Sequence, residues 1–523
     1  MTNLKLIFVG TLLLFSVSLG LSQGLTPHQI DSLVQKAMET FNVPGMAVSV
    51  LKDGEVIVEK GYGIQSIKTQ KPVNTKTRFG IASNTKAFTT AAIAQLVDEG
   101  KVEWDTKVRD IIPEFMLYSP YVSEEFTIKD LLVHRSGLGL GAGDLMVFPA
   151  ANTTTLDEMI HNLRYLKPVS SFRTKFDYDN LLYIVAGEII SRVSGEDFES
   201  YLENHFFKPL GMNRATMNTK EIDKDKNRID GHTVVDDQLV ITRRTFTKIG
   251  DAAAGIYASI EDMTKWVQAR IDYGRYGENL EHQLFSRKQA YEMWKPVTLL
   301  PPREKPYNSQ YRAYGLGWFV EDANGYLQVS HTGGLMGIVS QVTIVPELKL
   351  GIVVLTNQES GAAFSAITTS ILDSYFKLEN EDRIDEYNLL RLNAEQSAKE
   401  IEEKVQKQIE KVSQGQESTI LLPQDKVIGN YQDLWFGNVE IAKRKNGEVK
   451  FTSVKSPDLT GTMTYYKATT YIVRWDDPSL KADAFVNFRL DTEGNAVGFT
   501  MKAISPLTDF SFNFHDLDFF IIK

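Results

Sequence analysis

Three Ser-x-x-Lys patterns place a hydroxyl and an amine close enough in the chain to act together in nucleophilic catalysis. They are Ser49/Lys52, Ser83/Lys86 and Ser374/Lys377. Because the pattern is short, about one or two copies are expected by chance in a chain of this length. The surrounding sequence must therefore decide which pair has the right setting for chemistry.

The predicted elements separate the three pairs. The first pair lies in a predicted strand, where residues three apart point to opposite faces. The third lies at the polar end of an apolar helical segment, where a solvated surface pair is expected. Only Ser83 begins a predicted helix, so Lys86 follows one turn later on the same face, and the helix N-terminus favours developing negative charge. Ser83 is thus the candidate nucleophile, with a simple N-cap as the alternative.

A serine nucleophile also needs a proton shuttle, an oxyanion hole and a substrate clamp. Two segments offer these groups: Tyr178–Asn180, directly before a predicted helix, and His331–Gly334, at the start of a strand-like segment. Each also fits a structural role, Tyr178 as a half-buried aromatic and His331 as a packed core histidine. We interpret His134 as structural.

Other routes to catalysis lack their motifs. The remaining histidines show no His-Glu-x-x-His or clustered spacing, so we expect no metal site, and we expect no cofactor. Apart from residues 20–24, at the end of the apolar N-terminal segment, the chain has no Gly-x-Ser-x-Gly match, which argues against the α/β-hydrolase form of serine catalysis.

In chain order, Ser-x-x-Lys, Tyr-x-Asn and His-Thr-Gly resemble the motifs of the serine β-lactamase and penicillin-binding-protein family, which includes class C β-lactamases, DD-peptidases, esterases and D-aminopeptidases. Further segments resemble family landmarks in the family's order: Leu131–Leu138, Lys208–Met212, Ala254–Asp262 and Tyr314–Trp318. The resemblance covers roughly residues 30 to 375. It implies an α/β (α+β) domain with an antiparallel sheet flanked by helices, plus a helical lobe, and Ser83 in the cleft between them.

The resemblance also implies roles in catalysis. Ser83 would form an acyl-enzyme, and Lys86 and Tyr178 would share the base and acid work. Asn180 would orient the substrate amide or Lys86. A hydroxyl, an amine, a phenol and two N–H donors suffice for acyl transfer without a metal.

The third motif would bind the substrate through His331, Thr332 and Gly333. The backbone N–H groups of Ser83 and Gly334 would form the oxyanion hole, with Gly334 permitting the close approach of a strand edge. In β-lactamases and DD-peptidases this motif usually begins with Lys, whose charge helps to hold the substrate carboxylate. A histidine has an uncertain charge near neutrality, and relatives with His here are often esterases or aminopeptidases, so a β-lactamase or DD-carboxypeptidase is less expected.

The composition limits the partners. The chain has 523 residues, which predicts two or three domains. Its 42% hydrophobic and 24% charged residues are typical of a soluble globular protein. A net charge of -10 would repel phosphate backbones, and no basic run with interleaved aromatics occurs, so we expect no nucleic-acid binding. The expected partner is a small-molecule or peptide substrate, and the oligomeric state stays open.

The N-terminus is the one strongly apolar segment. A weakly basic start precedes an interrupted apolar stretch from Leu6 to Leu21, and small residues suit cleavage before Gln23. These features predict a signal peptide over residues 1–22 and a secreted or periplasmic protein with no stable membrane span after cleavage. An uncleaved membrane anchor is the alternative. The chain has no Cys, so it has neither a disulfide nor a lipid-modified cysteine.

The elements around the motifs can be read from the residue pattern. Asp53-Gly54 between two β-rich runs predicts a hairpin over residues 45–62. Helical patterns run from Thr85 to about Glu99 and from Leu181 to Val193. Later strands are predicted over Gln328–Ser330, Gly337–Val345 and Leu350–Leu355. By themselves these patterns suggest one mixed sheet assembled from distant parts of the chain.

After about residue 384 the composition changes. Apolar residues recur at helical spacing from Asp385 to about Val412, which predicts an amphipathic connector and then a linker. After Pro423, short alternating strands predict a small barrel or sandwich, similar to the lipocalin-like β-domain of some family members. The predicted divisions are a signal peptide (1–22), a hydrolase domain (23–384), a connector and linker (385–418) and a β-domain (419–523).

The sequence thus predicts a secreted serine hydrolase that acts through a Ser83 acyl-enzyme on an ester or a peptide-like amide, in the manner of an esterase or D-aminopeptidase. The alternatives are a β-lactam- or muropeptide-binding DD-carboxypeptidase, a β-lactamase or a slow-turnover sensor. A non-catalytic scaffold is a third possibility. We expect the β-domain to shape substrate access or oligomer contacts.

Overall fold

The computed structural model describes residues 24–243, 247–378, 382–416 and 422–522. The predicted signal peptide and the end of the predicted linker, residues 417–418, lie outside the described residues. The N-terminal part contains an eight-stranded sheet flanked by helices, and the C-terminal part is a closed eight-stranded barrel. The predicted fold class is therefore confirmed.

Both ends of the N-terminal part contribute strands to the large sheet. In spatial order the strands are Glu55–Gly63, Gly45–Lys52, Leu350–Thr356, Ile338–Val345, Tyr326–Leu335, Phe319–Ala323, Arg312–Tyr314 and Thr298–Leu300. Every pairing is antiparallel, so the mixed sheet suggested by the strand pattern alone is wrong. Strands joined by short turns must run antiparallel. The strands Gly45–Lys52 and Leu350–Thr356, which are far apart in the chain, also pair in antiparallel orientation.

The local predictions near the motifs hold. The predicted hairpin forms, with Asp53 and Gly54 both at positive φ of 53° and 85°. The two predicted helices are Thr85–Asp98 and Leu181–Ser194. The strand predicted over 328–330 is longer, Tyr326–Leu335, and so carries the whole third motif.

Helices cover both faces of the sheet because side chains alternate along each strand. In Gly45–Lys52, Val48 and Val50 pack into the core on one side, and Ala47 and Leu51 pack into the core on the other. The covering helices are Pro27–Thr40 and Gly361–Phe376 on the first side and Ile260–Ile271 on the second.

A helical lobe lies beside the sheet and contributes the second wall of the cleft. Its α-helices are Val108–Ile111, Pro120–Glu125, Ile128–Leu132, Leu156–Asn162, Leu181–Ser194, Phe198–Leu202, Lys208–Leu210 and Thr219–Lys224. Two further helices, Asp251–Ala254 and Arg287–Met293, belong to this part of the chain.

One long helix, Arg383–Ser413, leads from the sheet part to the barrel and is called the connector helix. The barrel strands are Gly429–Asp433, Gly437–Lys443, Val449–Ser453, Thr460–Lys467, Thr470–Trp475, Ala484–Leu490, Ala496–Ala503 and Asp518–Ile522. Aromatic side chains fill the barrel interior, and the rings of Phe499 and Phe519 stack at 4.4 Å. Within the described ranges, no helix has both the length and the apolar character needed to cross a membrane.

Candidate active site

Ser83 lies in a 3-10 turn directly before the helix Thr85–Asp98, called the nucleophile helix. The neighbouring Asn84 donates from Nδ2 to the Ser340 hydroxyl at 2.9 Å, and that hydroxyl donates to the Ile81 carbonyl at 2.7 Å. These bonds fasten the turn to the central sheet. The Ser83 side chain stays partly exposed, so a substrate can reach its hydroxyl.

Lys86 is fully buried below Ser83. Its ammonium donates to Ser83 Oγ at 3.0 Å, to Asn180 Oδ1 at 2.7 Å and to the Ala253 carbonyl at 3.0 Å. Burial lowers the pKa of Lys86 to about 7 against the opposing effect of nearby carboxylates. Near neutral pH, a large fraction of Lys86 is therefore an uncharged amine within reach of the serine proton.

Tyr178 lies on the other side of Ser83, with its hydroxyl close to the Ser83 side chain. Its ring centroid is 4.8 Å from Lys86 Nζ. Burial raises the pKa of Tyr178 well above its usual value, so the phenol keeps its proton at neutral pH. Lys86 is the better resting base of the two, and Tyr178 is placed to pass a proton.

Asn180 occupies the N-cap position of the helix Leu181–Ser194 without a side-chain capping bond, and its side-chain carbonyl oxygen holds Lys86. Its amide nitrogen donates to Asp144 Oδ2 at 2.7 Å. Asp144 is fully buried, and burial raises its pKa well above the usual range. Asp144 belongs to no motif of the sequence, and its only signal was a carboxylate inside a glycine-rich segment.

His331 is buried and uncharged. Its Nδ1 lies 2.6 Å from the Thr332 carbonyl, and a carbonyl can only accept, so Nδ1 carries the ring proton. Nε2 then accepts from the Tyr314 hydroxyl at 2.9 Å. Burial lowers the pKa of His331 to about 3. The third motif therefore supplies no positive charge, and a direct substrate contact by the His331 ring stays a prediction.

The strand that carries the third motif alternates between the interior and the cleft. His331 and Gly333 are buried, whereas Thr332 and Gly334 face outward. A Cβ on Gly333 would lie 2.3 Å from the Ile81 carbonyl oxygen, but one on Gly334 would meet no protein atom within 4 Å. The close approach between strand and serine turn is thus made at Gly333, and Gly334 faces open space.

The structure brings Ser83, Lys86, Tyr178 and Asn180 into one cluster, and Thr332 and Gly334 line the same cleft. The roles of the Ser83 and Gly334 N–H groups as an oxyanion hole stay predictions.

The other Ser-x-x-Lys pairs form no comparable site. Ser49 is buried and accepts from the Thr264 hydroxyl at 2.8 Å, and Lys52 pairs with the turn residue Asp53. His134 is fully buried, and its Nδ1 accepts the backbone N–H of Asp179 at 3.0 Å, which fits the structural interpretation. Across the part of the chain that the structure describes, no group of three or more His, Cys, Asp or Glu is placed to hold a metal ion.

The cleft has a volume of about 1620 Å³ and is lined by the sheet part, the connector helix and the barrel. The barrel reaches the serine through residues 505–513, called the cleft loop. In this loop the Phe510 ring lies edge-on to Tyr178 at 5.6 Å. The backbone of the cleft loop also approaches Gly141. A Cβ at that position would lie 2.6 Å from the Phe510 carbonyl oxygen, so only glycine allows this close approach.

Comparisons with known proteins match both parts of the chain. Residues 30–374 match the Beta-lactamase family, and residues 415–520 match a domain of unknown function, DUF3471. The octameric penicillin-binding protein homologue from Pyrococcus abyssi shares the fold, with a TM-score of 0.60 at 22% identity over 94% of this chain and 99% of that chain.

Curated relatives are similar to the chain over about two thirds of its length. Unguisins hydrolase ungD of Aspergillus violaceofuscus is 28% identical over 67% of this chain and 65% of its own length. Protein flp of Staphylococcus aureus is 28% identical over 64% of this chain and 63% of its own length. The chain thus spans less than two thirds of the length of these relatives. Since the family match alone covers more than half of the chain, the chain belongs to the beta-lactamase family.

Proposed function

We propose that the protein is a serine hydrolase that forms an acyl-enzyme on Ser83 and transfers the acyl group of an ester or a peptide-like amide to water. Membership of the beta-lactamase family supports serine hydrolase chemistry. The observation that carries the proposal is Ser83 Oγ at 3.0 Å from Lys86 Nζ, with the pKa of Lys86 lowered to about 7. A serine hydroxyl becomes a useful nucleophile when such a base takes its proton.

In the proposed reaction the Lys86 amine takes the Ser83 proton, and Ser83 Oγ bonds to the substrate carbonyl carbon. The carbon–leaving-group bond then breaks, and Tyr178 gives its proton to the departing oxygen or nitrogen. Lys86 returns a proton to Tyr178. A water molecule next attacks the acyl-enzyme by the reverse proton path, which releases the acid and restores Ser83.

The uncharged His331 supports an esterase or D-aminopeptidase type of activity. A Lys at this position would hold a substrate carboxylate, and His331 with a pKa of about 3 has no charge to do so. The proposed substrates therefore lack a free carboxylate next to the reacting carbonyl.

The cleft loop supports the aminopeptidase form of this proposal. Asp509 lines the cleft with an exposed side chain, and one of its oxygens accepts the Ser511 N–H at 2.9 Å. Among the described residues, no ion pair includes Asp509. An ionised Asp509 favours a substrate with a protonated amine over one with an acidic group, and such an amine would counter the desolvation that raises the pKa of Asp509.

A secreted or periplasmic location belongs to the proposal as well, and it rests on the sequence of residues 1–22.

The first test is intact-mass spectrometry of the protein lacking residues 1–22, with a fluorophosphonate and, separately, a β-lactam, beside Ser83→Ala. We expect a fluorophosphonate adduct on the wild type that Ser83→Ala lacks, because only the Ser83 oxygen can form that phosphonate ester. Ester turnover should fall by about 10⁴-fold or more in a Ser83→Ala protein that stays folded. Normal hydrolysis by that folded variant would refute the assignment.

The β-lactam arm separates the alternatives. A lasting adduct would favour a DD-carboxypeptidase or a slow-turnover sensor, and rapid β-lactam hydrolysis would favour a β-lactamase. A protein that labels with the fluorophosphonate, but neither keeps a β-lactam adduct nor hydrolyses the β-lactam, would favour an esterase or aminopeptidase. A wild type that takes up neither reagent would leave only an inherited scaffold.

A further inference from the structure

The amide of Asn180 has two different ends, and only one orientation suits its neighbours. In its protonated form the Lys86 ammonium can only donate, and the ionised Asp144 carboxylate accepts. With Oδ1 at 2.7 Å from Lys86 Nζ and Nδ2 at 2.7 Å from Asp144 Oδ2, both contacts are favourable. A rotated amide would place its NH₂ against the ammonium and its carbonyl against the carboxylate. Both contacts would then be repulsive in a buried site.

We propose that Asp144 is a positioning residue of the Ser83 site, which keeps the Asn180 carbonyl oxygen turned toward Lys86, and that the barrel's cleft loop holds Asp144 in place. Asp144 does not touch Ser83, so it acts through Asn180. The proposal rests on the proposed function for its catalytic consequence, but its geometric content is independent of that function.

The segment that carries Asp144 is held from two sides. From the helical lobe, the Gly141 N–H donates to the Tyr178 carbonyl at 2.8 Å. From the barrel, Asn513 Oδ1 accepts the Leu145 N–H at 3.4 Å, and the Ser511 hydroxyl lies beside the Asp144 carboxylate and lowers its pKa. A residue from more than 360 positions later in the chain therefore helps to fix the orientation of the base.

The electrostatic surroundings of Lys86 define a readout specific to Asp144. The titratable groups that face Lys86 are Asp144, Asp179, Tyr178, Tyr183, His134 and His331. Burial raises the pKa of the two tyrosines and lowers the pKa of the two histidines, so these four are uncharged at neutral pH. Among the described residues, the two aspartates, when ionised, raise the pKa of Lys86.

The test compares Asp144→Leu, which removes the acceptor, with Asp144→Asn, which keeps a carbonyl acceptor but loses the charge. In crystal structures we expect Asn180 Oδ1 and Lys86 Nζ to separate beyond hydrogen-bond distance in Asp144→Leu and to stay in contact in Asp144→Asn. Fluorophosphonate labelling of Ser83 should slow by about 100-fold in Asp144→Leu and by less than about tenfold in Asp144→Asn.

The pH profile sharpens the test. Removing a negative neighbour lowers the pKa of Lys86, so the amine stays uncharged to lower pH. In Asp144→Asn the acid limb of the labelling rate should therefore move to lower pH. The Asp179 carboxylate is also buried near Lys86, but it accepts the Leu181 N–H and makes no bond to the Asn180 side chain. Asp179→Asn is therefore the matched control. It should shift the limb in the same direction and keep the Asn180–Lys86 contact.

An Asp144→Leu protein that keeps both the Asn180–Lys86 contact and the wild-type labelling rate would overturn the proposal. If Asp144→Leu does not fold, Asp144→Ala decides by the same two measurements. If the wild type itself does not label, the proposed function fails, and the crystal structures still decide whether Asp144 orients Asn180.

Discussion

The Ser83 cleft and the barrel interior are both lined by antiparallel strands, yet they bury opposite kinds of side chain. The cleft buries Lys86 and two carboxylates, and burial shifts the pKa of each toward its uncharged form. The barrel interior buries aromatic rings. Its Tyr431 and Tyr471 hydroxyls each donate to a backbone carbonyl, at 2.9 and 2.8 Å.

The difference separates function from stability. Buried ionisable groups are costly, and a protein keeps them where their altered pKa is useful. Buried aromatic rings with satisfied hydroxyls stabilise a fold and offer no proton or nucleophile. The barrel reaches the site through its external cleft loop, where Phe510 packs against Tyr178. Its aromatic interior stabilises the domain that carries this loop.

Replacing Lys86 should have the largest effect on the reactivity of the cleft. In Lys86→Met the base is lost, so we expect Ser83 labelling by fluorophosphonate to fall by about 10³-fold. The free energy of unfolding should change by less than about 2 kcal/mol, because relief from burying the amine offsets the loss of its bonds to Asn180 and the Ala253 carbonyl. Labelling kinetics and urea unfolding measure the two quantities. Wild-type labelling, or a large loss of stability, would contradict this account of the cleft.

Truncating Phe510 would test whether the barrel shapes the site from outside. Phe510 is 37% exposed, so Phe510→Ala should cost less than about 1 kcal/mol of stability. We expect the ratio of kcat/KM between a bulky and a small acyl ester to change by about tenfold, because one cleft wall is lost. Phe520→Ala is the matched control, since Phe520 is 38% exposed on a barrel strand away from the cleft. Equal effects of the two variants would remove the cleft loop from substrate selection.

Truncating an interior ring should have the smallest effect on activity. Phe499 is fully buried among barrel aromatics, so Phe499→Ala should lower the free energy of unfolding by about 3–5 kcal/mol. In the protein that remains folded, kcat/KM should change by less than about twofold. Urea unfolding and ester kinetics, normalised to the sites that fluorophosphonate labels, give both values. A large change in kcat/KM per active site would show that the interior also acts on the cleft.

Local patterns predicted much of the fold. The Asp53-Gly54 hairpin and the helices that begin at Thr85 and Leu181 formed where expected, because turn chemistry and helical periodicity depend on neighbouring residues. The sense of strand pairing was not local, and the strand pattern alone gave the wrong answer, a mixed sheet. The family resemblance correctly implied the antiparallel sheet.

Several parts of the site had no local signal. Asp144 and Asn180 are separated by 36 positions, and no short pattern links them. The Ala253 carbonyl that accepts from Lys86 is a backbone group of ordinary appearance in the sequence. Phe510 belongs to the C-terminal barrel part, yet its ring contacts Tyr178 of the N-terminal part. Such contacts depend on how distant segments pack, which neither propensity nor spacing encodes.

The sequence by itself determined which side chains are available for chemistry and which of them fall on one helical face, as Ser83 and Lys86 do. Only the tertiary structure decided their charge states and partners. Residues from the sheet and the helical lobe surround Lys86 and His331, and burial lowers the pKa of Lys86 to about 7 and that of His331 to about 3. The physical reason is that a pKa reflects the solvation of a group, and solvation is set by every segment that packs around it.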